Sequence, residues 1–267
     1  MKLKQHLNNL TILVTRPHPA GAELCDLIEL HGGHAIHLPT ITFESLINEK
    51  NFIDSIRLIG QQNCLIFISP QAVYASISVL RREWPDLPPY VKLAAIGGGT
   101  AKALLHAGYQ ATIQPKENWG SEEFLALPEF QSLIKQKIAI IRGEDGRELL
   151  EQTLTARGAH VLSILAYRRV LPKINIKSYQ MLLKQNTIDT MIITSGEGIR
   201  NLMKMIEQTL HPFLLTIPLI VVSERIKKLA HDLGFQTIWV ARNASHHAIL
   251  EFLAEKRKEL CLMKTNP

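Results

Sequence analysis

The sequence predicts an α/β protein built from two similar lobes, each a doubly wound parallel sheet. Three observations carry this reading. Short continuous apolar runs alternate with amphipathic stretches along the chain, as expected when a parallel sheet is covered by helices on both faces. Gly32, Gly108, Gly158 and Gly234 each stand between an amphipathic stretch and the next apolar run, where a helix stops. The first half also recurs in the second. Ile12-Leu13-Val14-Thr15-Arg16 resembles Ile138-Ala139-Ile140-Ile141-Arg142, 126 positions later. The same ungapped shift pairs Gly32 with Gly158, His34 with His160, Ser69 with Ser195, Gly108 with Gly234 and Gln110 with Gln236. One register held along most of each half is the mark of a duplication.

In chain order, the run around Ile12-Leu13-Val14 predicts a strand over 11–15, and the stretch that Gly32 stops predicts a helix over 19–31. A second strand follows at 34–38 and a helix at 49–59. Leu65-Ile66-Phe67-Ile68 places a strand at 64–68, followed by a helix at 71–82. Strands at 92–96 and 110–113 flank a helix at 99–107 that ends at Gly108. The second copy repeats the pattern with strands at 137–141, 160–165, 189–193, 218–222 and 236–240. Strands separated by helices imply right-handed crossovers and parallel pairing.

The composition bounds the function. At 267 residues the chain is long enough for two domains, and with 46% apolar and 20% charged residues it is a globular protein. No apolar run reaches the roughly 20 residues of a membrane span, and Met1 to Asn9 is polar, unlike a signal peptide. Cys25, Cys64 and Cys261 form no CxxC motif, which fits idle thiols in a reducing compartment and predicts a cytoplasmic location. The net charge of +6 favours an anionic partner. Basic residues are scattered and aromatics are only 6%, so a small polyanion fits better than nucleic acid.

In open α/β sheets, ligands bind beyond the carboxyl ends of the strands. Arg16 and Arg142 close the first strand of each copy and Ser69 and Ser195 the third; Gly196 follows Ser195. Gly97-Gly98-Gly99-Thr100 and Ser223-Glu224-Arg225 follow the fourth. The hydroxyls of Ser69, Thr100, Ser195 and Ser223 have two readings that can coexist: helix N-caps, or ligand contacts beside free backbone N–H groups. Arg16 and Arg142 either serve the fold in both copies or meet a ligand. Gly97 to Lys102 (GGGTAK) is neither a Walker A loop nor a full GxGxxG. His31, His34 and His37 run from a helix end into a strand and do not converge on a metal. His246-His247 reads as the exposed start of the last helix. Ser-His-Asp, HExxH and paired-carboxylate motifs are absent, and Cys64 reads as a buried strand thiol.

Polar residues present in one copy only are the better candidates for function. Tyr167 stands opposite Ile41, Thr100 opposite Ile226 and Arg147 opposite Gly21. Tyr167, after the strand 160–165, is the sharpest: its ring can pack under a linker, or its phenol can donate to a leaving hydroxyl.

At these residues the sequence resembles the uroporphyrinogen-III synthase family over about residues 11–254. The resemblance rests on Val14-Thr15-Arg16-Pro17, Phe67-Ile68-Ser69 with Ala72-Val73, Ala95-Ile96-Gly97 with Thr100-Ala101, and Ser121-Glu122. It continues in Arg142-Gly143 with Arg147, Leu150, Leu154, Gly158, Val161 and Tyr167, then Thr194-Ser195 and Val221-Val222-Ser223-Glu224-Arg225. It implies a lyase without cofactor or metal in haem biosynthesis, which closes the linear polycarboxylate hydroxymethylbilane with loss of water and inversion of ring D. Such a reaction is governed by proximity and orientation, consistent with the lack of a conventional catalytic motif. By the same resemblance, Tyr167 assists the leaving hydroxyl, while Arg16, Ser69, Gly97, Thr100, Arg142, Arg147, Ser195, Gly196 and Ser223 hold substrate. The upstream hydroxymethylbilane synthase is an implied partner; nucleic acid and membrane are not. The family path also implies a two-stranded linker. Residues 1–37 and 172–267 form one lobe and 42–165 the other, with linkers at 38–41 and 166–171. The competing readings are a two-lobed anion sensor or solute-binding module without chemistry, and a nucleotide-sugar transferase with twin Rossmann lobes.

Overall fold

The structure is a computed structural model and describes residues 6–116, 120–145 and 148–265. Ten strands and eleven helices alternate along the described residues. They are β1 Thr11–Val14, α1 Ala20–Leu30, β2 His34–His37, β3 Thr42–Ser45, α2 Lys50–Arg57, β4 Cys64–Phe67, α3 Pro70–Glu83, β5 Lys92–Ala95, α4 Gly98–His106 and α5 Ser121–Leu125. They continue with β6 Lys137–Gly143, α6 Leu149–Ala156, β7 His160–Val170, α7 Lys177–Lys184, β8 Thr190–Ile192, α8 Gly196–Met205, α9 His211–Thr216, β9 Leu219–Val221, α10 Glu224–Asp232, β10 Ile238–Val240 and α11 His246–Thr265.

Two compact units result: Met1–Thr42 with Val170–Pro267, and Phe43–Arg169. The first holds a five-stranded sheet in the order β10-β9-β8-β1-β2; the second sheet runs β3-β7-β6-β4-β5. Shifted by 126 positions, β8-β1-β2 becomes β4-β6-β7, so each sheet combines strands from both copies. The registers agree residue for residue. Ile12 faces Thr190 where β1 meets β8, and Ile138 faces Cys64 where β6 meets β4. Thr11 faces His34 and Lys137 faces His160. The duplication thus specifies pairing as well as secondary structure.

Both sheets are covered on both faces. In the first unit Leu13, Met191 and Leu219 point to α8, α9 and α10, while Ile12, Val14 and Ile220 meet α1 and α11. In the second, Leu65, Phe67 and Ile141 pack on α2, α3 and α4, and Ile66, Ile138 and Ile140 on α5 and α6. Each fully buried aliphatic side chain contributes about 1.5–3 kcal/mol through burial, so the alternating faces of these strands account for much of each core. Four helices end alike. Gly32, Gly108, Gly158 and Gly234 have φ of 84°, 82°, 94° and 96°, the left-handed conformation a Schellman stop needs. Gly32 N–H donates to Glu29 and Gly33 N–H to Ile28, closing α1.

Three elements depart from expectation. The strand expected at 110–113 contracts to one parallel bridge, Ala94 to Ile113, in the register of Ile220 to Trp239 in the other sheet. The edge strand β3 goes unannounced, because Thr42-Phe43-Glu44-Ser45 is largely exposed and lacks an apolar run. Strand β7 extends through Val170, five residues beyond the expected end at 165, since Leu46 N–H donates to the Ala166 carbonyl from the edge beside β3. At the start of α11, His247 is exposed but His246 is tucked in, its Nε2 3.1 Å from the Ala20 carbonyl.

Candidate active site

The second unit brings its candidate groups together at the carboxyl ends of β4 and β6 and along the neighbouring stretch of β7. Pairing between β6 and β7 is regular up to Arg142 opposite Leu165 and then slips, so that Gly143 faces Tyr167 and the register skips Ala166. Such a bulge re-aims the side chains beyond it. Here the Tyr167 ring lies over Gly143: a Cβ on that glycine would stand 2.6 Å from Cε2, 2.8 Å from Cζ and 3.1 Å from the phenolic oxygen. Gly143 has no positive φ among the described backbone, so the glycine is there for space. Phe43 meets the ring edge-on, centroids 5.3 Å apart at 85°. Only 3% of Tyr167 remains exposed. It sits within β7 rather than at a strand end.

The phenolic oxygen lies 3.0 Å from Ser69 Oγ. Ser69 also caps α3, accepting the Ala72 N–H at 3.1 Å, so the capping reading holds while the same hydroxyl meets the phenol. Both side chains border a cavity of about 270 Å³ with Ile68, Ile140, Arg142 and Glu151 among its walls.

Arg142 is buried at 7% exposure. Its Nη1 donates to Glu151 Oε2 at 3.1 Å and its Nε to the Gly143 carbonyl at 3.3 Å. Ser163 Oγ donates to the same Glu151 oxygen at 2.6 Å. A buried guanidinium without such a partner would cost several kcal/mol. Arg142 is therefore a compensated charge at the cavity wall. Gly97 caps α4 just after β5, and Thr100 in the first turn of that helix is buried at 3% exposure. Arg147 lies outside the described residues.

Arg16, Ser195, Gly196 and Ser223 belong to the first unit. Ser195 caps α8, accepting the Gly198 N–H at 2.9 Å, and Ser223 caps α10, accepting the Ile226 N–H at 3.4 Å. Gly196 is buried in the first turn of α8. Arg16 follows β1 and donates from Nη1 to the Ala244 carbonyl at 3.1 Å. Burial lowers its pKa, with Glu23 acting weakly in the opposite sense. The two arginines that match in sequence thus differ in state: Arg142 is neutralised by a carboxylate, while Arg16 meets a carbonyl dipole. His37 Nε2 contacts the Arg16 carbonyl at 2.8 Å, His31 Nδ1 the Leu27 carbonyl at 2.7 Å, and His34 Nδ1 lies 3.4 Å from Glu29 Oε1. Burial raises the Cys64 thiol to about 12, so it stays protonated and unreactive.

Sequence reasoning missed Gly143, Glu151 and Ser163 as members of this site. The comparison of copies held the signal for two of them: Glu151 stands where the first copy has Cys25, and Ser163 where it has His37.

Fold and site together define a duplicated parallel α/β protein with a buried phenol–hydroxyl pair beside the carboxyl ends of β4 and β6 in one unit. The family model for uroporphyrinogen-III synthase HemD matches residues 22–251. Uroporphyrinogen-III synthase of Escherichia coli K12 is 38% identical over 248 residues, covering 91% of this chain and all of that protein; the Salmonella typhimurium enzyme is 35% identical over the same extent. A crystal structure of a mutant uroporphyrinogen III synthase from the extremely thermophilic bacterium Thermus thermophilus shares the fold, with a TM-score of 0.61 at 16% identity over 94% of this chain and 99% of that one. The chain belongs to the uroporphyrinogen-III synthase family, cyclising lyases of haem biosynthesis. This membership displaces the solute-binding and sugar-transferase readings. Among the described residues no helix is long and apolar enough to cross a membrane.

Proposed function

We propose that the chain converts hydroxymethylbilane to uroporphyrinogen III, with Tyr167 as the acid that releases the terminal hydroxyl. The contact that carries this reading is the 3.0 Å bond between Tyr167 and Ser69 at the cavity wall. It holds the phenol in place, and a fixed proton donor contributes typically 10²–10⁴-fold.

In the first step the C–O bond of the hydroxymethyl group breaks and its electron pair stays on oxygen. That oxygen takes the phenolic proton and leaves as water. The resulting azafulvene cation is attacked by the substituted carbon of the far ring, giving a spiro intermediate. Fragmentation and reclosure invert that ring. The proton lost from its α-carbon on closure restores the phenol. Unassisted closure gives the uninverted isomer, so the protein's main task is to favour one geometry of attack.

Substrate carboxylates are assigned to Arg16, whose desolvated charge gains from an anion, and to the capped helix starts at Ser195-Gly196 and Ser223, whose backbone N–H groups favour negative charge. Ser69, Gly97, Thr100 and Arg142 are assigned the same task at the second sheet, Arg142 in spite of its internal carboxylate, and Arg147 is assigned it from the sequence resemblance alone. The net charge of +6 supports a polyanionic substrate. Three free cysteines support a cytoplasmic location, and a substrate that closes unaided supports supply by hydroxymethylbilane synthase close by. The test supplies freshly made hydroxymethylbilane and separates the isomers after oxidation. Wild-type protein should raise type III well above background, and Tyr167→Phe should lower its rate by about a hundredfold or more. A background-level type III fraction from wild-type protein overturns the reaction; an undiminished Tyr167→Phe rate overturns the role of the phenol.

A further inference from the structure

Besides Tyr167, the ionisable groups lining the cavity are Arg142, Asp145, Glu151 and Arg169, and Glu151, held by two donors, is one for which the reaction above has no use. Glu151 projects from α6 into the cavity wall, and its side chain is 37% exposed against 9% for Arg142. Arg142 and Ser163 both bond to its Oε2. Among the described residues its Oε1 has no hydrogen-bond partner. Two donors on one oxygen orient the carboxylate and leave the other oxygen for a ligand.

The chemistry of the substrate says what that oxygen can meet. When a hydroxyl leaves a pyrrolylmethanol, the methylene carbon becomes doubly bonded to the ring, and the positive charge rests largely on the ring N–H. That charge develops only as the C–O bond breaks. A fixed acceptor facing it therefore stabilises the transition state more than the bound substrate, the condition for a gain in rate. The cavity, at about 270 Å³, is slightly smaller than ordinary ligand pockets of roughly 300–1,000 Å³. It suits one substituted pyrrole, not the whole tetrapyrrole.

We propose that Glu151 is a second catalytic residue, whose free carboxylate oxygen accepts the N–H of the hydroxymethyl-bearing pyrrole and stabilises the cation formed as Tyr167 protonates the leaving hydroxyl. The inference rests on the reaction proposed above. No bond to Glu151 forms or breaks, and the proton account of that reaction is unchanged.

A simpler role would be to neutralise Arg142. The duplication argues against it. The arginine recurs as Arg16, but the first copy has Cys25 and His37 in place of Glu151 and Ser163, and Arg16 is served by the Ala244 carbonyl. The matching arginine is thus held by a backbone carbonyl, with Glu23 acting on it only through space and not as a hydrogen-bonded partner. Among the described residues, a carboxylate hydrogen-bonded to the recurring arginine and to a second side chain is found in the unit that also carries Tyr167, as a chemical role requires.

The test measures initial rates against hydroxymethylbilane concentration, with isomer separation, for wild-type protein, Glu151→Gln, Glu151→Asp and Arg142→Gln. Glu151→Gln should lower kcat by about a hundredfold, the usual scale for one preorganised electrostatic contact, with KM within about threefold and the type III fraction falling toward background. Arg142→Gln keeps the carboxylate but removes one of its two anchors and a substrate contact assigned above, so it should raise KM and lower kcat clearly less than Glu151→Gln does. Glu151→Gln at full kcat overturns the proposal. So does an equal loss from Arg142→Gln, which would make Glu151 only the holder of that arginine. If Glu151→Gln fails to fold, Glu151→Asp decides, because it keeps the charge and retracts it by one methylene: a reduced kcat at an unchanged melting temperature supports the role, and full activity overturns it. Type III formation by wild-type protein in the same series separates failure of this role from failure of the reaction.

Discussion

The phenolic oxygen of Tyr167 and the hydroxyl oxygen of Ser69 lie 3.0 Å apart across 98 positions of sequence. Ser69 has two tasks, since its hydroxyl also caps α3. Ser69→Ala should cost about 1 kcal/mol in stability from the lost cap, and lower kcat about tenfold because the phenol loses its orienting partner. Ser195→Ala removes an equivalent cap. It should lose similar stability but raise KM while leaving kcat near wild type, as expected of a carboxylate contact. Denaturant melts and initial rates on both variants check the contrast. Equal kcat losses in the two would sink it.

The difference between the two matching arginines yields a second prediction. Arg16 is desolvated with a backbone carbonyl as its hydrogen-bond partner, whereas Arg142 faces a carboxylate. Arg16→Gln should raise KM about tenfold at little cost in kcat, since the lost interaction serves binding in ground state and transition state alike. The effect should shrink as salt screens the wild-type charge. Rates at low and high ionic strength measure this, and an unchanged KM would remove Arg16 from substrate binding.

The order of strands and helices, and their pairing, were legible because the relevant signals are local. Strands covered on both faces read as apolar runs, four glycines mark the helix ends, and the duplication carries the register. Signals that depend on distant partners were not legible. Strand β3 is an exposed edge with no apolar pattern, and only its neighbour β7 defines it. Tyr167 stood out as a polar residue unique to one copy, yet its pairing with Ser69 needs the bulge between β6 and β7. Comparing the copies could have found Glu151, facing Cys25, and Ser163, facing His37. Gly143 had no such signal, because its need for empty space exists only once the Tyr167 ring is folded over it.

The Cys64 thiol gives a pH prediction. Burial raises it to about 12, above the roughly 8.5 of an unfolded cysteine. The folded state therefore favours the protonated thiol. The stability it contributes is fully present below about pH 8.5 and is lost as pH rises toward 12, by up to about 1.4 kcal/mol per pH unit in that window. Cys64→Ala should be less stable than wild type near neutral pH through the small cavity it leaves. Its stability should decline less steeply between about pH 9 and 11, as urea titrations at several pH values would measure. Parallel declines in the two proteins would contradict the burial argument.

Gly143→Ala isolates the seating of the phenol. The backbone at Gly143 is open to any residue, so the added methyl acts only by overlap with the Tyr167 ring, 2.6 Å away at the nearest atom. Overpacking of this kind costs typically about 1–3 kcal/mol, and relief by tilting the ring would carry the phenolic oxygen away from Ser69. The kcat for type III formation should therefore fall about as far as in Tyr167→Phe. The double variant settles the cause. If the methyl acts by moving the hydroxyl, adding it to Tyr167→Phe should change kcat by no more than about twofold, because the group it displaces is already gone. If the two losses instead multiply, Gly143 supports the site by some other route, and the ring-seating account fails.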